Sequence, residues 1–316
     1  DQGRYLVDTA FARSLELPAL EVSGGCFCCR LDDFRGRLDA LIEKARPQVI
    51  FAESVGSCAD LVATVIKPLL VAARSAALVS SLSVFADARL LLRYRRGEEL
   101  PFSEPVCYLF GKQLEEAGLL VANKRDLLTP GDMEELPFLL ARAFPGKPVR
   151  LQNSLEGQEV QSWLAAVEAG QAAPPVASLD LDYARYAQGE TRLAWLDARL
   201  TMDGQERAAD LLAAIFTSRR QRGIPLGHAK VLLNAVNGRA VKVSLTQGDT
   251  SPEEGDLRAQ LAGLGDARLD VLLNLRAETA PENLRAVLDE ALTKAPADLL
   301  AADAFIPGVP RPTERV

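Results

Sequence analysis

Short apolar runs alternate with helix-like segments through the first half of the chain, and several of these runs end in a cluster of polar residues. An apolar run that ends in a polar turn is typical of a buried parallel strand with a functional loop at its carboxyl end. Helical spacing predicts helices over residues 35–46 and 158–170. The strands that the pattern predicts span residues 48–56, 80–88, 118–126 and 148–154. We therefore expect a mostly parallel α/β sheet.

The pattern changes after this first half. Residues 171–191 carry paired prolines and small residues without a sustained period, and we interpret them as a linker. The residues that follow alternate as strand, helix, strand, strand, strand and helix, with a tight hairpin at Asn237-Gly238. This order predicts a small α+β, ferredoxin-like domain. The expected organisation is a first domain over 1–170, the linker 171–191, a second domain over 192–297 and a tail over 298–316.

The second half is predicted in more detail from its periodicity. The predicted strands span 192–202, 228–236, 239–247 and 267–278, and the predicted helices span 205–221 and 280–295, with a weaker helix around 252–263. The end of the tail is expected to be disordered.

Composition and charge narrow the class of protein. A chain of 316 residues with 48% hydrophobic and 25% charged residues has the composition of an ordinary globular protein with room for two domains. It contains no apolar run of about 18 residues, the length that a membrane span needs. The net charge is −7, and the basic clusters at 93–96 and 218–222 are short. We therefore expect neither a nucleic-acid partner nor a membrane.

Three of the five cysteines lie within SGGCFCCR, residues 23–30, at Cys26, Cys28 and Cys29. An odd, crowded set is a poor disulfide framework and suits a reducing cytoplasm, where we expect the protein. A bridge between the neighbours Cys28 and Cys29 would also strain the peptide between them. Packing as small buried hydrophobic residues is one alternative. Thiol redox chemistry is another, although no thioredoxin-like context supports it. We favour a metal site.

The sequence Asn123-Lys124-Arg125-Asp126 follows one of the predicted strands. An NKxD sequence in that position is the guanine-reading element of GTPases. The aspartate accepts hydrogen bonds from the guanine N1 and N2 groups, the asparagine braces the loop, and the lysine stem covers the base. The alternative is a charged turn in which Asp126 caps the next helix.

A second polar turn, Glu53-Ser54-Val55-Gly56, follows the apolar run VIFA. A carboxylate in such a turn can hold a magnesium-bound water, and a glycine amide can meet a terminal phosphate. An ordinary polar turn is the alternative. The nucleotide interpretation gains support because functional loops of α/β folds converge on one edge of the sheet.

In this order and spacing, SGGCFCCRLDD, ESVGSCADL and NKRDLL resemble the CobW-like family of metal-handling P-loop GTPases, related to CobW, HypB and UreG. The opening DQGRYLVDT resembles the family's first switch, and residues 192–295 resemble its C-terminal domain. The resemblance implies a P-loop GTPase-type sheet followed by a smaller α+β domain. It also implies GTP and Mg²⁺ as cofactors, and GTPase activity.

The resemblance assigns roles to residues of this chain. It implies that Cys26, Cys28 and Cys29 bind metal, that Glu53 and Gly56 lie near magnesium and the γ-phosphate, and that Asn123, Lys124, Asp126 and Ser154 contact the base. Cys58, two residues after Gly56, is less usual for the family. We hypothesise that it completes a fourth thiolate when the second switch closes; the alternative is a small buried residue before a helix. The lone histidine, His228, is expected to be structural.

The family's phosphate loop, GxxxxGK[ST], does not occur in the 316 residues. Gly111-Lys112 and Gly146-Lys147 contain GK, but neither has the leading glycine or a following Ser or Thr. The chain starts at Asp1, where the first switch should begin, so we expect truncation rather than natural loss. The chain as it stands should lack the first strand of its sheet and bind GTP poorly.

Three clustered thiolates suit soft ions such as Zn²⁺, Cu⁺ or Co²⁺ far better than Mg²⁺ or Ca²⁺, with Zn²⁺ expected first and Co²⁺ second. Three sulfurs leave one tetrahedral position open, which suits transfer rather than a closed structural site. The resemblance thus implies a GTP-dependent metal chaperone, with a client metalloprotein or cofactor-assembly protein as partner. The family's name points to cobalamin biosynthesis, but its members serve several metals. The alternative is a non-catalytic metal-binding or scaffold protein, a pseudo-GTPase without the phosphate loop.

Overall fold

The structure is a computed structural model, and it describes residues 3–72, 80–246 and 254–316. Its helices are α1 (Val7–Ser14), α2 (Leu31–Ala45), α3 (Lys67–Ala72), α4 (Ala88–Arg96), α5 (Glu104–Glu116), α6 (Pro130–Ala143), α7 (Gly157–Glu168), α8 (Tyr183–Arg192), α9 (Gln205–Gln221), α10 (Glu254–Leu261) and α11 (Pro281–Lys294). Its strands are β1 (Ser83–Asp87), β2 (Leu119–Asn123), β3 (Val149–Gln152), β4 (Leu193–Asp203), β5 (Leu226–Ala235), β6 (Ala240–Thr246), β7 (Arg268–Glu278) and β8 (Asp298–Phe305).

The chain divides into two compact units, each with its own sheet. We call the first the antiparallel unit; it comprises Asp1–Cys26, Asp32–Val55 and Glu190–Val309. The second, the parallel unit, comprises Phe27–Leu31, Gly56–Gly189 and Pro310–Val316. A parallel sheet followed in sequence by an antiparallel α+β sheet is the fold class that the sequence predicts, and it is confirmed.

The parallel unit contains a three-stranded sheet in the order β1-β2-β3. The central strand β2 is an apolar run whose residues Leu119–Ala122 are buried, as expected for a parallel strand that is covered on both faces. Leucines of α4, α5 and α6 pack around it in one core. The register places Asp87 opposite Asn123, and Asn123 opposite Gln152. The polar residues that end these strands therefore meet at one sheet edge.

The predicted strand over residues 48–56 is wrong. None of the described strands includes this segment, although its apolar pattern is clear. A strand requires a hydrogen-bonded neighbour, and no strand among the described residues pairs with this run. Val49 and Phe51 consequently stay exposed, at 59% and 67% of their full surface. The other three strands predicted for the first half are present as β1, β2 and β3.

The antiparallel unit contains a five-stranded sheet in the order β6-β5-β7-β4-β8. The β4-α9-β5 and β7-α11-β8 segments give the ferredoxin-like arrangement, in which β5, β7, β4 and β8 are neighbours. The additional edge strand β6 is joined to β5 by the predicted hairpin, where Gly238 has a φ of +86° that suits glycine. Apolar residues of α9, α11 and the sheet form one core.

Two segments that were expected to be irregular form regular elements. The predicted linker contains α8, whose first turn is capped by Asp182 Oδ1; this atom accepts the Ala184 N–H at 2.8 Å. The predicted tail begins with β8, which pairs with β4 at the sheet edge, where half-exposed alanines weaken the alternating pattern. Residue 247 of a predicted strand and the start of the helix predicted at 252–263 lie outside the described residues; the rest of that helix is α10. The domain boundaries remain a prediction.

Candidate functional site: the NKRD loop and a cysteine cluster

The NKRD sequence forms a tight loop directly after β2. Lys124 has a left-handed φ of 63°, and a single 3-10 turn, Arg125–Leu127, follows it. The next helix, α6, begins with its own capping box, in which Thr129 Oγ1 accepts the Asp132 N–H and the Asp132 side chain reaches back. Asp126 therefore does not cap the helix, and the alternative of a simple capping turn is ruled out.

Asn123 and Ser154, which the sequence assigned to the base-contacting set, come together in the structure. The Asn123 Oδ1 atom accepts the backbone N–H of Ser154 at 3.0 Å. The Ser154 hydroxyl accepts a further hydrogen bond from Gln152 Nε2, also at 3.0 Å. Asn123 thus braces the loop after β3 against the NKRD loop after β2. The contacts of these residues with a base remain a prediction.

Asp87 is a residue of this site that the sequence analysis did not identify. It ends β1, and its Oδ2 atom lies 3.4 Å from Lys124 Nζ, so it holds the lysine stem beside the loop. Its Oδ1 atom accepts the Arg89 N–H at 3.0 Å and caps α4. Burial alone would raise the pKa of Asp87, but Arg89 and Lys124 hold that pKa below its usual value. The sequence signal that could have identified Asp87 is its position: it is the acidic residue that ends β1, the strand before β2 and the NKRD loop.

A cavity of about 360 Å³ lies beside Asp126. It is lined by Arg125, Asp126, Asn153, Glu156, Gln158 and Glu159. Glu159 ties its walls together, because its carboxylate accepts from Arg125 Nε at 3.0 Å and from the Asn153 N–H at 2.7 Å. The volume falls in the range of small-molecule pockets, and a carboxylate in its wall can accept two hydrogen bonds from a base edge.

The three clustered cysteines lie just before α2, within four consecutive residues. The sulfur atoms of Cys26, Cys28 and Cys29 all lie within 4.8 Å of one another. Cys28 Sγ and Cys29 Sγ are 3.8 Å apart, and none of the chain's five cysteines, all in the described residues, forms a disulfide. Cys26 and Cys28 are buried, whereas Cys29 is half-buried. A compact set of three sulfurs can converge on one soft metal ion.

Residues 1–149 match the sequence model of the CobW/HypB/UreG nucleotide-binding domain family. The match covers just under half of the chain and supports a CobW-like P-loop GTPase family for these residues. The resemblance seen in the motifs is thereby confirmed. No curated protein and no solved structure matches the chain. In the part of the chain that the structure describes, no helix combines the length and the apolar character needed to cross a bilayer.

The resemblance assigns Glu53 and Gly56 to the second switch, and their described contacts do not form a preformed magnesium site. The Glu53 side chain is 72% exposed, and its Oε1 atom lies 3.3 Å from Lys230 Nζ. The carbonyl oxygens of Gly56 and Cys58 accept hydrogen bonds from Gln113 Nε2 at 2.9 and 3.0 Å. The roles of Glu53 and Gly56 remain predictions.

Cys58 and His228 do not belong to the three-sulfur group. Cys58 is buried, with 6% of its surface exposed, and its proposed role as a fourth ligand remains a prediction. His228 lies edge-on to the Trp195 ring, with 5.6 Å between the ring centroids. Burial, together with the cations Lys230 and Arg276, lowers the pKa of His228 to about 3, so the imidazole is neutral near pH 7.

The chemistry of the NKRD loop suits a guanine base, but neither GK sequence of the chain supplies a phosphate loop. Gly111 lies inside α5, and Lys112 pairs with Glu115 at 2.7 Å. Lys147 Nζ donates to the carbonyl oxygens of Ala117 and Glu115, the latter at 3.0 Å, and burial lowers the pKa of this lysine. Neither GK sequence therefore forms a cradle for phosphates or a ligand set for Mg²⁺.

Proposed function

We propose that this protein is a GTP-dependent metal chaperone or insertase, which binds a soft transition metal at Cys26, Cys28 and Cys29 and couples its transfer to GTP hydrolysis. The observation that carries the proposal is the three-sulfur cluster in a chain whose first 149 residues match the CobW/HypB/UreG nucleotide-binding domain model. On this proposal the protein is a GTPase, and the metal ion is its cargo.

The chemistry of the sulfur set supports an exchanging site. Thiolates favour Zn²⁺, Cu⁺ or Co²⁺, and we place Zn²⁺ before Co²⁺. Three protein sulfurs leave a fourth tetrahedral position for a donor from the client protein. Cys29 is half-buried while Cys26 and Cys28 are buried, so the incoming donor approaches from the side of Cys29. Ligand exchange at an open position moves the ion without exposing it to bulk solvent.

The NKRD loop supports guanine over adenine. The Asp126 carboxylate accepts hydrogen bonds from the N1 and N2 groups of guanine, which adenine cannot donate. Asn123 holds the adjacent loop through Ser154, and Asp87 holds Lys124 where its stem can cover the base. Each of these residues binds or positions the base, and none of them cleaves the phosphate bond.

The order of the motifs along the chain supports coupling between the nucleotide state and metal binding. The cysteines lie between the segment that resembles the first switch, residues 1–9, and the second-switch segment, residues 53–56. A rearrangement of either segment would therefore pull on the chain that carries the sulfurs. The recipient would be a client metalloprotein or a cofactor-assembly protein in the cytoplasm, and neither nucleic acid nor a membrane is involved.

A second function, a metal-binding scaffold without nucleotide turnover, is favoured by one observation. The 316 residues contain no GxxxxGK[ST] sequence, the source of the phosphate lysine and the magnesium-binding hydroxyl. The two functions differ in turnover and share the metal site.

Metal titration and turnover together test the proposal. The protein should take up one equivalent of Zn²⁺ or Co²⁺, and Cys28→Ser should weaken that binding at least tenfold because one of three sulfurs is lost. Cys107→Ser is the matched control, since Cys107 lies outside the cluster, with its sulfur 3.5 Å from the Phe102 carbonyl oxygen. In protein produced from the natural gene, one equivalent of metal should stimulate GTP turnover. Metal binding without turnover would establish the scaffold instead, and no metal uptake would exclude both.

A further inference from the structure

The last residues of the chain, Pro310–Val316, contact the segment that carries Cys28 and Cys29; we call them the terminal strap. The backbone N–H of Arg311 donates to Cys29 Sγ at 3.2 Å. The backbone N–H of Thr313 donates to the Cys28 carbonyl oxygen at 3.0 Å, and the Thr313 hydroxyl lies 3.3 Å from the same oxygen. The strap therefore reaches both the sulfur of one cysteine and the backbone of its neighbour.

A buried carboxylate anchors the far end of the strap. Arg315 Nε donates to Asp60 Oδ2 at 2.7 Å, and Arg315 Nη2 donates to the Leu179 carbonyl oxygen at 2.7 Å. Asp60 is fully buried and accepts a second hydrogen bond from the Tyr183 hydroxyl at 2.6 Å. Removing one partner of a buried charge is costly, so the arginine holds the strap in a defined position. The Val316 N–H adds a bond to the Ala63 carbonyl oxygen at 2.9 Å.

The sequence of the strap makes the Arg311 N–H a defined donor. Pro310 and Pro312 have no N–H, so Arg311 carries the one backbone donor of these three residues. Pro312 also restricts Arg311 to extended conformations, which reduces the entropy lost when the strap docks. The Arg311 side chain is exposed, so its backbone makes the contact with the sulfur.

We infer that the terminal strap is the outer wall of the metal site, with Arg311 as a positioning residue whose N–H orients the Cys29 sulfur, and that detachment of the strap opens the site for transfer. The inference rests on the proposed metal-binding function. Hydrogen bonds to ligating sulfurs fix their orientation and modulate their donation to the metal. Cys29 is the half-buried sulfur of the set, and the strap lies directly against it.

The anchor also offers a route from nucleotide state to metal release. Asp60 lies four residues after Gly56, in the segment that continues from the second-switch motif. Its left-handed φ of 65° is unusual for a residue with a side chain, so its conformation depends on the surrounding contacts. A shift of this segment would loosen Arg315 and, through it, the strap.

A pair of variants at one position isolates the N–H group. Arg311→Pro removes the donor and keeps the extended backbone that Pro312 already imposes, whereas Arg311→Ala keeps the donor and removes only the exposed side chain. With Co²⁺ as the probe, Arg311→Pro should lower the affinity about tenfold, the lower end of the effect typical of outer-shell groups. Its sulfur-to-cobalt charge-transfer band should shift to lower energy, because the sulfur lone pairs lose a hydrogen-bond donor. Arg311→Ala should match the unaltered protein in both measurements.

A deletion of residues 310–316 provides the second test, with folding checked by Trp163 fluorescence. Release of Co²⁺ to a chelator should be at least tenfold faster in the deleted protein. The inference is overturned if Arg311→Pro binds and releases Co²⁺ like the unaltered protein. It is also overturned if Arg311→Ala changes the Co²⁺ affinity and the charge-transfer band as much as Arg311→Pro does. The proposed metal site stands in both cases. If the unaltered protein binds no Co²⁺, the proposed function fails and the inference fails with it.

Discussion

The NKRD loop and the two switch-like segments, residues 3–9 and 53–56, are held in different ways. The NKRD loop is held by neighbours in its own three-stranded sheet: Asn123 Oδ1 accepts the Ser154 N–H, and Asp87 holds Lys124. These partners sit at the carboxyl ends of adjacent parallel strands. Asp87 has a lowered pKa and stays charged far below neutral pH. The geometry of the loop is therefore insensitive to pH near neutrality.

The switch-like segments are held by polar side chains of the antiparallel unit, most of them ionisable. The Arg4 N–H donates to Asp197 Oδ2 at 2.7 Å, and the Val7 N–H donates to an amide oxygen of Asn274 at 3.0 Å. Lys230 pairs with Asp8 and, at 3.3 Å, with Glu53. Burial raises the pKa of Asp197 to about 6 despite the hydrogen bonds it accepts from Arg4 and Asn274.

This difference indicates which segments of the candidate nucleotide site are held in place only by neighbouring strands of their own sheet. The NKRD loop needs two flanking strands, and both are present. The switch-like segments lack such strands among the described residues and bind instead to polar side chains, among them the titratable Asp197. We therefore expect base recognition to be robust, and the position of the switch-like segments to respond to pH and to substitution.

The largest expected effect is a change of nucleotide specificity, from guanosine to xanthosine, when the NKRD loop is altered. Asp126→Asn replaces an acceptor of two hydrogen bonds by a group that presents one acceptor and one donor, which suits xanthine and not guanine. Two hydrogen bonds to a charged group are worth about 3–6 kcal/mol, so guanosine binding should fall at least a hundredfold while xanthosine binding rises. Competition between fluorescent guanosine and xanthosine nucleotides measures the change. Equal loss of both bases would show that the loop is merely structural.

The next effect concerns pH and the first switch-like segment. Asp197 has a folded-state pKa of about 6 against an ordinary value of 3.8, so between pH 4 and pH 6 the folded protein keeps a proton that the unfolded chain releases. The free energy of unfolding should therefore fall as pH rises through this window, by at most about 3 kcal/mol for this group. In Asp197→Asn this contribution should be absent.

The contribution of His228 to the free energy of unfolding changes with pH in the opposite direction. Its lowered pKa makes the unfolded chain bind the additional proton below about pH 6.5, so this contribution falls as the pH falls. The difference between the unaltered protein and Asp197→Asn cancels the histidine contribution. Urea unfolding should be followed in Trp163→Phe, which leaves Trp195 as the reporter of the antiparallel unit. A difference that stays constant from pH 4 to pH 7 would contradict the assigned role of Asp197.

A smaller effect is expected when the brace of the NKRD loop is removed. Asn123→Ala leaves the Ser154 N–H without its acceptor, which should cost about 1–2 kcal/mol of unfolding free energy. The change should be seen by Trp163 fluorescence in Trp195→Phe, because Trp163 lies in the parallel unit and packs against Phe85. Ser154→Ala is the control, since it keeps the backbone N–H. Equal effects of the two variants would contradict the bracing role.

The smallest effect is expected at the second switch-like segment. The Glu53 side chain is largely exposed, so its pair with Lys230 should contribute less than about 1 kcal/mol. Glu53→Gln should therefore leave urea unfolding nearly unchanged, and any remaining effect should disappear in high salt. A loss above 2 kcal/mol would mean that this segment is as firmly held as the NKRD loop.

The features that could be predicted from the sequence are those set by residues close together in the chain. The NKRD loop, β1 to β3, the Asn237-Gly238 hairpin and the ferredoxin-like order follow from periodicity and turn chemistry. The strand predicted at 48–56 failed because a strand depends on a neighbour that its own residues do not reveal. Asp87 was missed because its role depends on register with Asn123, and the terminal strap was missed because Arg311 contacts Cys29 across 282 positions of sequence. The prolines on either side of Arg311 mark its N–H as a donor but do not reveal its partner.

The most direct test of a nucleotide-linked metal site is the affinity for Co²⁺ in the presence of a non-hydrolysable GTP analogue, compared with GDP, in protein from the natural gene. If the two events are coupled, the affinities should differ by about 5–150-fold, and Co²⁺ should change the affinity for the analogue by the same factor. The adenosine analogue should have no effect, and Asp126→Asn should transfer the effect to xanthosine nucleotides. Equal Co²⁺ affinities with both guanosine nucleotides bound would contradict the coupling and leave a metal-binding scaffold.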